Sequence, residues 1–332
     1  MYTLRVLDAK QVKTLIKMDD VIPAVEEAYK LYSKGEAGLF PVIIHEFEPG
    51  KNDMDIKSGH LWGGGIYGLK ILGWCKDNPK QDLPALSGLI VLMEIKRQQP
   101  IGIIDASPIT FLRTGAAGAI GAKVFARKDS SRAVIIGSGM QGRAQLQGLS
   151  ITMPVLKEIH FFDKEYELAC KLVSEQQQLF PSIALYAHPF SELENKLKKA
   201  DIVVTCTTSR NYFIERDWIQ PGTHINAIGC DMPGKQELEP SLVASAKVFA
   251  DSIAQVTVKG ECQWAYSQKM LKEAAITEIG QVLLQEKEGR CSDDEITVFD
   301  ATGMAIQDLI TAKKALDQAK TNKIGSTIHM MY

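Results

Sequence analysis

The stretch Ala133-Val134-Ile135-Ile136-Gly137-Ser138-Gly139-Met140-Gln141-Gly142 constrains this chain more than any other part of its sequence. Four strand-favouring apolar residues run into glycines at G-x-G-x-x-G spacing. A helical pattern through Ala144, Leu146 and Leu149 follows. Glycine is common, and the triplet alone says little. A strand before it and a helix after it give the spacing a mechanism: a tight turn at the first glycine, close approach of a pyrophosphate at the second, and helix-on-sheet packing at the third. The bare helix start then offers N–H groups and a positive dipole end to phosphate. The next strand-like run, His160-Phe161-Phe162, ends in Asp163, at the distance where an acidic residue meets the ribose hydroxyls. A carboxylate there repels a 2′-phosphate, which favours NAD over NADP, while the adjacent Lys164 softens that preference and leaves NADP possible. Gly137, Ser138, Gly139, Met140, Gln141, Gly142 and Asp163 are therefore the candidate cofactor-binding residues.

The elements around this motif set the organisation. Downstream, short strands at 158–162, 183–186, 202–205, 224–228, 247–250 and 295–299 alternate with helical segments, one clear at 191–199, as in a parallel sheet covered on both faces. Upstream the pattern differs. A helix capped by Asp19 or Asp20 carries Val21, Val25, Ala28, Tyr29 and Tyr32 on one face and stops at Gly35. From about 41 to 105 the sequence reads as strands, including a hairpin of 86–94 with 101–105. A helix at 110–127 is crowded with Gly115, Ala116, Ala117, Gly118, Ala119, Gly121 and Ala122. Such small residues suit a cofactor, a subunit contact or tight internal packing equally. The polar stretch 128–132 reads as a domain junction. The expected fold is α/β: a Rossmann-type doubly wound parallel sheet plus an α+β domain.

Composition removes several classes. At 332 residues the chain has room for about two domains. Lys and Arg number 38 against 40 Asp and Glu, and no basic block stands out, so no nucleic-acid partner is expected. The longest apolar runs fall well short of a membrane span, so no membrane association is expected either. Met1-Tyr2-Thr3-Leu4-Arg5 turns polar before a signal-peptide core could build. The six cysteines form no C-x-x-C pair, and the six histidines show no H-x-x-x-H spacing. No metal site or disulfide framework is expected, and the expected compartment is the cytoplasm.

Hydride chemistry also needs a substrate anchor and a proton relay. Lys70, Arg113 and Asp231 qualify by residue type: Lys and Arg as partners of a carboxylate, and Asp231 as an acid/base just past a strand end. Each has an ordinary alternative as a surface charge or a turn residue. Taken together with Leu112-Arg113-Thr114-Gly115-Ala116-Ala117, His224-Ile225-Asn226-Ala227-Ile228-Gly229, Asp231-Met232-Pro233-Gly234-Lys235-Gln236-Glu237-Leu238, Lys259-Gly260-Glu261 and Phe299-Asp300-Ala301-Thr302-Gly303, the chain resembles the ornithine cyclodeaminase/mu-crystallin family over nearly its whole length.

The resemblance implies an NAD(P)-dependent oxidoreductase of amino or imino acids, usually a homodimer. It acts as a cyclodeaminase (a lyase that oxidises, cyclises with loss of ammonia and re-reduces) or as a one-step dehydrogenase or ketimine reductase. It implies Lys70 and Arg113 as substrate-carboxylate ligands, Asp231 with Lys70 as the catalytic pair, and Thr207, Thr302 and Gly303 among the cofactor contacts. It also implies a return of the chain to its first domain, so that 1–127 with 303–332 form the substrate-binding and dimerisation domain and 128–302 the dinucleotide domain. One departure stands out. The stretch 40–45 lacks the Arg that the family usually carries after an early proline; Lys57, with His45, is expected to replace that charge. The alternative is a mu-crystallin-like protein that binds nucleotide or small ligands with little catalysis.

Overall fold

Strand Ile66–Cys75 lies within an eight-stranded sheet built from the two ends of the chain. The computed structural model describes residues 2–330. The strand order is Ser326–Met330, Tyr2–Leu7, Gln99–Asp105, Leu86–Glu94, Ile66–Cys75, Asn52–Leu61 and Ala37–Leu39, with Ile43–Glu48 also paired to Asn52–Leu61. All pairings are antiparallel except that of Tyr2–Leu7 with Gln99–Asp105. Period-two alternation puts Lys57, Gly59 and Leu61, and opposite them Lys70, Gly68 and Ile66, on the buried face. Helix Ala305–Asn322 packs on that face, beside helix Met18–Ser33. Gly68 lets it approach: a Cβ there would collide with the Val91 carbonyl and crowd Leu309.

Three features differ from the sequence reading. The early helix begins at Met18 with Lys17 as its N-cap; Asp20 does not start it but reaches back from the first turn to accept the Lys17 N–H at 3.0 Å. Helix Ala9–Leu15 precedes it, with only Val12 and Leu15 buried. Strand Ser326–Met330 is exposed at every residue, so no alternation marked it. Gly35 does end the early helix, at φ +72°.

The second sheet is parallel throughout, in the order Ala184–His188, Glu158–Phe162, Arg132–Ile136, Ile202–Thr205, His224–Ala227, Thr297–Asp300, Lys247–Ala250 and Ile276–Glu278. The doubly wound α/β pattern expected from the sequence is present. Helix Tyr166–Gln176 escaped notice because only Ala169 and Leu172 are buried along it. The helix expected at 191–199 is a 3-10 turn, Phe190–Glu192, followed by the short helix Leu193–Leu197.

Two compact units result, one of residues up to Arg113 with those from Met304 onward, the other Thr114–Gly303. They part inside helix Ala106–Phe125, and not in the polar stretch after it. The reason is the crowd of small residues. In the second unit a Cβ on Gly118 would strike the Gln145 side chain, one on Gly121 would strike Phe299 and Asn226, and the Gly115 carbonyl backs onto Gly148. Asn226 Nδ2 donates to the Gly118 carbonyl at 2.8 Å, and His224 bridges Asn226 and Thr297 at 2.9 Å on each side. Burial pushes the His224 pKa down to about 3, so the bridge is neutral at physiological pH. Tight packing is thus what this stretch of small residues serves. Gly121→Ala gains up to about 1 kcal/mol of helix propensity. The bonded Asn226 and buried Phe299 cannot yield, so a net loss of roughly 1–2 kcal/mol is expected, read as a lower urea midpoint.

Candidate active site

In a parallel sheet every strand ends on the same edge, and the ligand crevice lies there. The glycine loop follows Ile136, Thr207 follows Thr205, Asp231 follows Ala227, Asp251 follows Ala250 and Thr302 follows Asp300. Gly137 takes φ +108°, and a Cβ on it would press the Cys206 carbonyl at 2.7 Å. A Cβ on Gly142 would strike the Gly137 carbonyl, which enforces the strand–helix contact. Beyond Gly139 there is nothing within 4 Å, and as N-cap of helix Met140–Thr152 it has no side chain to cap the first turn. Met140 and Gln141 form that turn. Open space at the second glycine and an uncapped helix start fit a pyrophosphate.

Asp163 is positioned by backbone donors: Ser138 N–H to one carboxylate oxygen at 2.8 Å and Glu165 N–H to the other at 3.1 Å. The carboxylate therefore stands beside the glycine loop as an acceptor for ribose hydroxyls, while Lys164 is exposed.

The remaining loops are tied by carboxylates that sequence reasoning did not single out. Glu237 accepts the Thr207 N–H at 2.7 Å, and its other oxygen is so close to Gly229 that any side chain there would collide with it. Glu261 in turn accepts the Glu237 N–H at 2.7 Å. Burial raises the pKa of both acids. Asp251 accepts the Gly303 N–H at 2.7 Å and the Thr302 hydroxyl at 3.4 Å. Asp231 is partly exposed and bonded to Lys235 Nζ at 2.6 Å. Burial works against a charged Lys235, but Asp231 and Glu237 outweigh it and hold its pKa above the usual lysine value. Asp231 thus has a permanent cationic neighbour.

The first unit holds a second cluster. Lys70 is 0% exposed, with Nζ 2.9 Å from Asp308 Oδ2. Arg113 Nε donates to Asp308 Oδ1 at 3.0 Å and Nη1 to Gln307 Oε1 at 3.4 Å. Gln307 Nε2 donates to the Tyr29 hydroxyl at 2.6 Å. Lys57 is buried directly across from Lys70, 3.7 Å from Asp55. Burial, reinforced by Arg113, lowers the Lys70 pKa to about 8 against the pull of Asp308. Burial alone would raise the Asp308 pKa, but Lys70 and Arg113 prevail and keep it below the usual carboxylate value. Lys57, Lys70 and Arg113 thus come together. His45 does not join them: it is exposed and pairs with Met54, an odd number of residues from Lys57, so its side chain leaves the opposite face of the sheet. The expectation that His45 shares the replacement charge is corrected on that ground.

Comparison with known proteins identifies the family. The sequence pattern of the ornithine cyclodeaminase/mu-crystallin family matches residues 3–323. The chain belongs to that family. Among its members, the alanine dehydrogenase of Archaeoglobus fulgidus is 38% identical over 324 residues, 97% of each chain. A solved archaeal alanine dehydrogenase dimer with bound NAD superposes with a TM-score of 0.90 at 36% identity, covering 99% of this chain and 100% of that one. The Thermococcus litoralis Delta(1)-pyrroline-2-carboxylate reductase, solved with NADH and L-proline, gives 0.91 at 29% identity over 97% and 99%. Solved cyclodeaminase relatives at 20–23% identity share the fold. Among the described residues, no helix is long and apolar enough to cross a membrane.

Two measurements test the family site in this chain. Asp163→Asn keeps an oxygen for the Ser138 N–H but removes the charge; the ratio of kcat/KM for NAD over NADP should fall by at least about tenfold, since like charges in contact cost several kcal/mol. The second concerns pH. A carboxylate held by protonated Lys70 would bind with full affinity below about pH 8 and lose affinity as pH rises through that value; Lys70→Met should remove this alkaline limb.

Proposed function

We propose that this protein is an NAD-dependent oxidoreductase of small amino and imino acids, working in one step rather than as a cyclodeaminase. The observation that carries the reading is the buried ammonium of Lys70, beside Arg113 and Lys57 and held on one side by Asp308. It is a ready counter-site for one carboxylate. Relatives at 28–38% identity include an alanine dehydrogenase, an iminosuccinate reductase and a Delta(1)-pyrroline-2-carboxylate reductase, which favours the one-step reaction, while an uncharacterized cyclodeaminase stands at 30%.

The 137–142 loop would hold the nucleotide, with Asp163 accepting from its ribose hydroxyls and Thr207, Thr302 and Gly303 beside it. When bound, it would supply the hydride acceptor or donor for the substrate carbon. Lys70, Arg113 and Lys57 hold and orient the substrate carboxylate. Lys57 supplies the positive charge that the Arg-free 40–45 segment lacks. Asp231 takes a proton from the ammonium as the amine is oxidised and returns it in the reverse direction, with Lys235 balancing its charge. Lys70, with its pKa near 8, is also able to exchange a proton close to neutrality.

We also propose a homodimer and a cytoplasmic setting. The outer face of the first sheet carries Ile43, Ile56, Ile71 and Leu89 in one cross-strand row, and Ile43, Ile71 and Leu89 are exposed. Such a contiguous apolar row suits a subunit contact, and the archaeal alanine dehydrogenase neighbour is a dimer. All six cysteines are free thiols, as suits a reducing compartment.

Purified protein screened against amino acids and cyclic imines with NAD(H) and NADP(H) tests the activity. Net NADH formation with an amino acid is expected; ammonia release without net NADH would instead mean a cyclodeaminase. Asp231→Asn should lower kcat by about a hundredfold or more, and an unchanged rate would sink the acid/base assignment. Lys57→Ala should raise KM at little cost in kcat. Ile71→Asp should yield monomers in light scattering; a wild-type monomer would exclude the dimer.

A further inference from the structure

Asp308 is a fully buried carboxylate that the reaction above does not use, although it touches two of the three cations that the reaction needs. It sits in the first turn of helix Ala305–Asn322, the helix packed on the buried face of the first sheet. Its two oxygens divide the work. Oδ2 faces Lys70 Nζ at 2.9 Å, and Oδ1 accepts Arg113 Nε at 3.0 Å. These cations come from different elements, a strand and a helix, and nothing in their local sequence would hold two like charges together.

We propose that Asp308 is the positioning residue of the carboxylate site, its two oxygens bracing Lys70 and Arg113 side by side so that both meet one incoming carboxylate. The proposal rests on the reading of this cluster as the substrate-carboxylate site.

Three points of geometry support it. First, Asp308 engages Lys70 from one side only, Nζ lying 2.9 Å from Oδ2, and an ammonium has three N–H donors, so others stay available. Second, the Arg113 fork is fixed from two sides, by Asp308 on Nε and Gln307 on Nη1, which leaves other donors of the guanidinium for a ligand. Gln307 is itself anchored by Tyr29 and by the Met304 N–H at 2.9 Å, so the brace belongs to the helix start and not to a loose side chain. Third, the charges facing Lys70 are Arg113, Asp308, Asp55 and Lys57. Asp308 is the nearer counter-charge for Lys70, whereas Asp55 lies beside Lys57. Without Asp308, Lys70 would face Arg113 and Lys57 with too little compensation and would release its proton at lower pH.

The test uses propionate, a monocarboxylate that does not itself titrate between pH 6 and 10, with the full-length NAD-saturated protein and ligand-observed NMR. In the wild type, affinity should fall above about pH 8. In Asp308→Asn, affinity at neutral pH should drop by about tenfold, the lower end of what losing an orienting partner costs at bound-metal sites. The decline with pH should begin about one unit lower, the effect of removing a nearby opposite charge. A wild type that binds no propionate at any pH overturns the carboxylate-site reading and this proposal with it. A wild type that binds, with an Asp308→Asn variant of equal affinity and unshifted pH dependence, overturns the proposal alone. Should Asp308→Asn lose its fold by circular dichroism, the Asp308→Asn/Lys70→Met double variant removes the uncompensated cation. It is expected to refold and to bind propionate no better than Lys70→Met. A double variant that stays unfolded makes Asp308 a structural residue and overturns the proposal.

Discussion

Two lysines on the inward face of a β-sheet and an arginine from a helix are what the first unit has to accommodate. Hydrophobic residues of the same size would be cheaper there, because ions taken out of water lose several kcal/mol each unless they are paired with good geometry. Lys70 and Arg113 are tolerated because one buried carboxylate, Asp308, serves both. That pairing requires the closing helix to lie on the sheet, which requires glycine at 68, beneath Leu309. The return of the chain to its first unit is therefore an electrostatic necessity as well as a topological one: strand Ile66–Cys75 supplies the ammonium and helix Ala305–Asn322 its counter-charge.

The second unit solves a different problem with backbone. Its ligand edge consists of loop starts at five parallel strands, and loops so placed need internal ties. Those ties are carboxylates, buried except for the half-buried Asp163, that accept main-chain N–H groups: Asp163 from Ser138, Glu237 from Thr207, Glu261 from Glu237 and Asp251 from Gly303. A carboxylate that accepts backbone donors fixes a loop without occupying the crevice, which leaves the open space at Gly139 and the uncapped helix start for phosphate.

The legibility of these two halves in sequence differs for a physical reason. The glycine loop is local: strand, turn and helix lie within twenty residues, and Gly142 answers a contact with a near neighbour, the Gly137 carbonyl. Lys70, Arg113 and Asp231 were legible as residue types, with their grouping suggested only by family resemblance. Asp308 and Glu237 were passed over, because an acidic residue in a helix or after a turn looks the same in sequence whether it is solvated or buried. His45 was credited wrongly for a related reason: alternation along a strand is plain, but which parity faces inward depends on the pairing register.

By itself the sequence determined the parallel α/β unit, the position of its phosphate turn, the acidic residue at the end of the second strand and the supply of cations from which a carboxylate site could be made. These follow from short-range sterics and from periodicity, which a linear chain records. Tertiary structure alone decided which cations share a counter-charge, that the small residues of helix Ala106–Phe125 serve packing, and that Lys57 faces inward while His45 faces out. Those outcomes depend on strand register and on contacts between residues as far apart as Arg113 and Asp308. Burial, which sets the proton affinity of Lys70, exists only once the closing helix lies on the sheet.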